Sequence, residues 1–259
     1  MVVRVVRVVR VALVIAVAAC GSSKRPAGED AMRGARDGSA APADTGSGSG
    51  SAAPTGEVAV RVEWRAVPTS ARQSPGTTPC NTPRAPAVTP TTMWGIPEAM
   101  ILAEKAPAPG TARITIAGCA LTPRIVVARE LIVDSALDRP TKVMLVKHGT
   151  IAALGALQSG EARTIQLPIA GHAVMLSLDA NAVYRLGLDS PDGEVAWIVN
   201  APGLVTDVTG LATLALPAGK HDVTAWLPAR GGQEWKVVKS NVTVEASALV
   251  ELAIDLGPR

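Results

Sequence analysis

The sequence has very few aromatic residues: no phenylalanine, one tyrosine and five tryptophans among 259 residues. Proteins that bind sugars or single-stranded nucleic acid usually stack these ligands on several aromatic side chains. The small number of aromatic residues therefore argues against this kind of binding. Trp64, Trp197 and Trp226 lie in strand-like patterns and are predicted to be core residues. Trp94 lies in a loop rich in proline and threonine, where it is either an exposed recognition residue or a plug over the core.

Motifs for catalysis are also missing. No serine lies in a nucleophile-elbow pattern, and no glycine-rich phosphate loop stands outside the linker-like residues 20–56. Asp189, Asp192 and Glu194 could pair as in a glycosidase, but we interpret them as solvated turn residues. We therefore expect a protein that is not an enzyme and has no catalytic residues.

Histidine is scarce as well. Only His148, His172 and His221 occur, and no two are close enough in sequence to suggest a helical or loop metal pair. We expect no metal and no cofactor. A metal site assembled from distant strands is the alternative.

The N-terminus has the order of a secretory signal. Arg4, Arg7 and Arg10 precede the uncharged run 11–19, and Cys20 comes directly after that run. A membrane span needs about 20 apolar residues, so this short run predicts a signal peptide over residues 1–19 and not a transmembrane helix.

The residues before Cys20 resemble the lipobox of bacterial lipoproteins. Val17, Ala18 and Ala19 are small enough for the signal peptidase to reach the bond before the cysteine. The resemblance implies acylation of Cys20, with membrane lipid as a partner, and an outer-membrane location facing the periplasm or the cell surface, because the next residue is Gly21 and not aspartate. An ordinary secretory signal with Cys20 as a free thiol is the alternative.

The chain beyond residue 19 is balanced in charge and begins with a stretch of small residues. Removing the three arginines of residues 1–19 from the 25 basic side chains leaves 22 against 22 acidic ones. A nucleic-acid partner, which would need a basic face, is therefore not expected. Residues 20–56 comprise the lipidated cysteine and a stretch rich in Gly, Ser, Ala and Pro, which predicts a disordered linker with a reach of about 33 Å. It is either a plain spacer or a tether that lets the domain search for partners.

Residues 57–259 show hydrophobic periodicity of two, which indicates strands with one face in a core. Val58, Val60 and Val62 alternate with Ala59, Arg61 and Glu63. The pattern is repeated by Val242 and Val244 and by the segment 250–256. Short turn signals separate such segments, as in an antiparallel sandwich or barrel. The stretch 96–105 is compatible with either a helix or a strand.

The two ends of this β-rich part together resemble one known module. The residues that carry the resemblance are 56–64, 95–101, 205–210, 216–223 and 242–256. They look like the carboxypeptidase regulatory-like, or transthyretin-like, sandwich, which assigns residues 57–105 plus 203–259 to one domain. Asp207 is expected to bond its own turn backbone, and Gly210 to take a positive φ.

The intervening residues 106–202 resemble a different sandwich. The segment 118–127 looks like the start of a cupredoxin-like domain, which in its relatives binds copper through Cys, His and Met. Here the ligand positions are Thr141, Leu188, Pro191 and Glu194, so the resemblance implies a degenerate domain without copper ligands.

The two remaining cysteines can form a disulfide only with each other. Once Cys20 is lipidated, Cys80 and Cys119 can form a disulfide, which an oxidising envelope favours. Two separate buried thiols are the alternative. A bridge would join the proline-rich loop 74–92 to the start of the inserted domain.

The prediction is thus an all-β chain of two small antiparallel β-sandwiches, a transthyretin-like one interrupted by a cupredoxin-like insertion. We expect a membrane-anchored cell-envelope lipoprotein that acts as a non-catalytic binding or scaffolding protein, with an envelope protein or polymer as partner. The alternative is a periplasmic protein of the cupredoxin type that binds copper or another divalent metal.

Overall fold

The computed structural model describes residues 53–158, 160–188 and 194–257. The predicted signal peptide, Cys20 and nearly all of the linker lie outside the described residues, as do Asp189, Pro191 and Asp192.

The described chain is almost entirely β-structure. It has one short α-helix, α1 (Thr69–Arg72), and one 3-10 turn (Ile151–Ala153). The strands up to the middle of the chain are β1 (Thr55–Glu63), β2 (Met100–Leu102), β3 (Thr111–Ala117), β4 (Ala120–Thr122), β5 (Ile125–Val127), β6 (Glu130–Ser135), β7 (Thr141–Thr150) and β8 (Ala162–Leu167). The later strands are β9 (Ala173–Ser177), β10 (Ala182–Leu188), β11 (Val195–Asn200), β12 (Gly203–Val205), β13 (Leu211–Pro217), β14 (Gly219–Leu227), β15 (Lys236–Val244) and β16 (Leu249–Asp255).

One pair of sheets combines the two ends of the described chain. The orders are β13-β1-β16 and β12-β2-β14-β15, with β1 antiparallel to β13 and parallel to β16. The period-two pattern of β1 places Val58, Val60 and Val62 in the core, where they are fully buried. Ile101 and Val223 face them from the other sheet within the same apolar cluster.

A second pair of sheets is formed by the middle of the chain. The orders are β5-β11-β10-β7-β8 and β4-β3-β6-β9. Ile114 and Val133 from one sheet, and Val143, Leu186 and Ile198 from the other, belong to one buried cluster. Each sheet pair is therefore a sandwich around its own core.

A third apolar cluster joins the two sandwiches. Met100 and Trp226 lie on the outer face of the β2–β14 sheet, while Val183, Trp197 and Val199 lie on the outer face of the β10–β11 sheet. The rings of Trp197 and Trp226 meet edge to face, with centroids 5.5 Å apart. The four sheets thus stack as one body with three apolar cores.

The predicted all-β sandwich class is confirmed. The period-two segments form β1, β15 and β16, and the ambiguous stretch 96–105 contains the strand β2 between turns. The transthyretin-like and cupredoxin-like resemblances stay predictions.

Candidate functional site

The disulfide between Cys80 and Cys119 is present, with Cα atoms 5.7 Å apart. Cys119 lies in the turn between β3 and β4, and Cys80 lies in the proline-rich loop before β2. The bridge therefore fixes that loop to the middle of the chain, as the sequence predicted.

A charged cluster lies beside this loop. The carboxylate oxygen Oε2 of Glu98 accepts hydrogen bonds from Arg124 at 2.5 Å and from Arg230 at 2.7 Å. Arg230 also donates to the backbone oxygen of Glu98, and Arg124 donates to the backbone oxygen of Pro86. Because the three charged residues come from distant parts of the chain, the cluster ties those parts together.

The cluster is largely buried, which strengthens the ion pairs between Glu98 and the two arginines. The side chain of Arg230 is only 6% exposed and that of Arg124 16%. Burial by itself raises the pKa of Glu98, but the two arginines outweigh it, so the net pKa of this carboxyl is below its ordinary value. Burial lowers the pKa of Arg230, with the charge of Arg124 acting in the same direction. Glu98 is therefore a structural carboxylate held in its charged form.

Two of the four positions equated with copper ligands have polar partners inside the protein. Glu194 is half-buried, and its Oε1 accepts a hydrogen bond from the backbone of Ala85 at 3.2 Å. The expectation that Glu194 is a solvated turn residue is therefore wrong, because the proline-rich loop packs over it. Thr141 donates to the backbone oxygen of Arg139, and Leu188 ends β10.

The histidines take up separate positions. His148 lies in β7, and its Nδ1 donates to the backbone oxygen of Gln158; burial lowers its pKa, which favours the neutral ring. His221 lies in β14, with Nε2 bonded to the backbone oxygen of Pro217. His172 lies in the turn before β9. Among residues 53–158, 160–188 and 194–257, no group of three His, Cys, Asp or Glu side chains is placed to hold a metal ion.

The tryptophans divide into core and surface residues. Trp64, Trp197 and Trp226 are at most 4% exposed, as predicted. Trp94 is 39% exposed, and its backbone has a positive φ of 62°. Its side chain therefore lies at the surface of a tightly turned loop.

Two neighbouring loops expose large apolar side chains, and we call the three residues Met93, Trp94 and Val208 the loop tip. These side chains are 70%, 39% and 82% exposed. The loops touch so closely that a Cβ on Gly95 would lie 2.0 Å from the backbone oxygen of Thr209. Large apolar side chains clustered on a surface are typical of interaction sites.

Hydrogen bonds hold both loops of the tip. The backbone nitrogen of Trp94 donates to Thr91, and its oxygen accepts from Trp64. In the other loop, the carboxylate of Asp207 accepts from the backbone nitrogens of Thr209 and Leu211, at 2.7 Å and 3.1 Å. The bond from the Thr209 hydroxyl and those from the turn backbone lower the pKa of Asp207. The predicted roles of Asp207 and of Gly210, whose φ is 82°, are confirmed.

Two open concavities lie between elements of the two sandwiches. A groove of about 590 Å³ contacts β14 and the 3-10 turn, and includes His221 and Leu154. A cleft of about 570 Å³ lies between the β10–β11 hairpin and the loop after β14, and includes Trp197 and Arg230. Both volumes are in the range of small-molecule sites.

Sequence reasoning missed the Glu98 cluster and the cleft. Glu98 is separated from Arg124 by 26 positions and from Arg230 by 132, so no local spacing connects them. One signal was available: β11 is apolar along nearly its whole length and buried on both faces. Such a strand indicates packing layers on both sides.

In the part of the chain that the structure describes, no helix combines the length and apolarity needed to span a membrane. Comparison of the chain with protein-family models, with curated proteins and with solved structures gives no match.

Proposed function

We propose that this chain is a lipid-anchored protein of the bacterial cell envelope that binds a partner protein or polymer through the loop tip, without catalysis. The observation that carries the proposal is the exposed apolar surface of Met93, Trp94 and Val208 on two hydrogen-bonded loops. Tryptophan is among the residues that contribute most to binding at protein interfaces.

Rigidity supports the role of the tip. Trp94 is held from both sides by backbone hydrogen bonds, and Gly95 donates to the side chain of Thr91. A surface that is already ordered loses little conformational entropy when it binds. The loop tip is therefore suited to docking a partner without rearrangement.

The position of the tip relative to the chain's N-terminal side also supports the proposal. Thr55 lies at one end of β1, and the tip lies at the other end, where Glu63 pairs with Gly95. The strand has nine residues, so its two ends are about 26 Å apart at roughly 3.3 Å per residue. The tip is thus remote from the end of β1 at which the described chain begins.

The anchor itself rests on the lipobox-like residues before Cys20, and Gly21 after the cysteine supports an outer-membrane location facing the periplasm or the cell surface. Acyl chains on Cys20 would hold the protein without any protein surface touching the membrane. The likeness of the two sandwiches to transthyretin-like and cupredoxin-like domains is part of the same proposal.

The pKa shifts of the carboxyl groups support a non-catalytic role. In the described residues, each carboxyl group whose pKa is clearly shifted has a lowered pKa, and these groups are Glu98, Asp179 and Asp207. A general acid of a hydrolase needs the opposite shift.

Site-specific photocrosslinking in living cells tests the proposal. A photoreactive amino acid at position 94 should give a discrete adduct, and the Val208→Ser substitution in the same chain should remove it, because Val208 belongs to the same surface. Leu249 is the matched control: it is 45% exposed and pairs with Glu57 at the far end of β1. The proposal would be contradicted by equal amounts of adduct from positions 94 and 249, or by the absence of an adduct from position 94.

A further inference from the structure

We infer that the cleft between the β10–β11 hairpin and the loop 228–235 is a second binding site, for a small organic carboxylate that carries an aromatic or apolar group. The inference goes beyond the proposed role of the loop tip, because it concerns different residues. It is based on the shape of the cleft, on the exposed Arg185 and on the half-buried Trp235.

The loop that forms one wall is held in a fixed shape. Gly231 and Gly232 both have positive φ values, of 51° and 81°, and form a two-residue turn. Arg230 and Gln233 bracket this turn with reciprocal backbone hydrogen bonds of 3.0 Å and 2.7 Å. The indole nitrogen of Trp197 donates to the backbone oxygen of Ala229 and so fastens the loop to β11. The cleft is therefore preformed.

Two arginines line the cleft, one of them paired with Glu98 and the other exposed. Arg230 is 7% exposed; Glu98 occupies its two terminal nitrogens, while its Nε is buried and has no hydrogen-bond partner among the described residues. Arg185 is exposed at the rim, directly across the strand pair from Trp197. Because the Nε of Arg230 is buried and its terminal nitrogens bind Glu98, the guanidinium that a ligand in the cleft can contact is that of Arg185.

The other lining residues determine which anion fits. The half-buried Trp235 offers aromatic surface and Gln233 offers an amide, while Trp197 lines the cleft but is only 4% exposed. Glu234 also lines the cleft and would repel a ligand with several negative charges. A guanidinium binds one carboxylate with good geometry, and tryptophan packs on an apolar body. The combination favours a monocarboxylate with an aromatic or apolar group.

A titration of the purified chain with phenylacetate tests the inference, followed through the indole N–H resonances in NMR spectra. The signals of Trp197 and Trp235 should shift and saturate in the millimolar range, while that of Trp94 at the loop tip should stay unchanged. Phenylacetamide, which has the same ring and no charge, should bind at least about tenfold more weakly.

Two substitutions identify the site. Arg185→Gln should weaken phenylacetate binding about fivefold, as expected for an exposed charge pair, and Trp235→Ala should weaken it further. Arg139→Gln, at an exposed arginine in the loop between β6 and β7, is the matched control and should leave binding unchanged. Absence of saturable binding, equal binding of the amide, or equal loss in Arg185→Gln and Arg139→Gln would overturn the inference. The comparison of acid with amide needs no variant, so a poorly folding variant does not decide the outcome.

Discussion

Replacing Glu98 by glutamine should destabilise the protein strongly. The substitution keeps the shape of the side chain but removes the negative charge between Arg124 and Arg230. Two charge-assisted hydrogen bonds, of 2.5 Å and 2.7 Å, are weakened, and the guanidinium of Arg230, only 6% exposed, loses its counterion. Removing one partner of such a buried pair costs about 3–5 kcal/mol. The surviving bond from Arg230 to the backbone oxygen of residue 98, together with the 32% exposure of the Glu98 side chain, places the expectation at the lower limit, at about 3 kcal/mol.

Urea unfolding of the purified chain, followed by tryptophan fluorescence, measures this loss. Glu104→Gln is the matched control, since the side chain of Glu104 is 89% exposed and its ion-pair contact is with Lys105, at 3.5 Å. That control should change the free energy of unfolding by less than about 0.5 kcal/mol. Equal, small effects of the two substitutions would refute the reasoning that the Glu98 cluster stabilises the folded chain.

Three further predictions concern pH, a turn and the disulfide. The pKa of Glu98 in the folded protein lies below its ordinary 4.5, so the stability that this carboxylate contributes is complete above pH 4.5 and is lost as the pH falls through the folded pKa. The difference in unfolding free energy between wild type and Glu98→Gln should therefore become smaller below pH 4.5. A difference that does not change with pH would contradict this. Gly210→Ala should cost more than about 2 kcal/mol in urea unfolding, because φ is positive and the new Cβ would lie 2.5 Å from the backbone nitrogen of Ile96; Gly118→Ala, with φ of 60° and open space around it, should lose only about 1 kcal/mol. Replacing Cys80 and Cys119 together by serine opens a loop with a sequence separation of 39 and should lower the unfolding free energy by about 4 kcal/mol, whereas a loss below about 1 kcal/mol would show that the bridge contributes little.

The sequence predicts the strands well where one face is buried and the other is polar. The alternation around Val58, Val60 and Val62 is such a case, and so is β16. The turn at Asp207 and Gly210 was predictable for a similar reason, since both residue types have strong local conformational preferences. The disulfide was predictable from the small number of cysteines.

The stacking of the sandwiches and the charged cluster could not be predicted in the same way. Both depend on contacts between residues far apart in the chain, and hydrophobic periodicity reports only whether a face is buried, not what covers it. Glu98 comes directly after a proline in what reads as an ordinary loop, and only the folded chain brings Arg230 to it. The close approach of Gly95 to the backbone of Thr209 is likewise a contact between residues far apart in the chain.

The measurement that tests the central claim most directly is the intact mass of the protein purified from bacterial membranes. We expect a chain that begins at Cys20 and carries the added mass of acyl chains on that residue. We also expect Cys20→Ser to release the protein from the membrane fraction. A mature chain without added lipid mass, or a Cys20→Ser variant that stays in the membrane fraction, would contradict the claim that this is a lipid-anchored envelope protein.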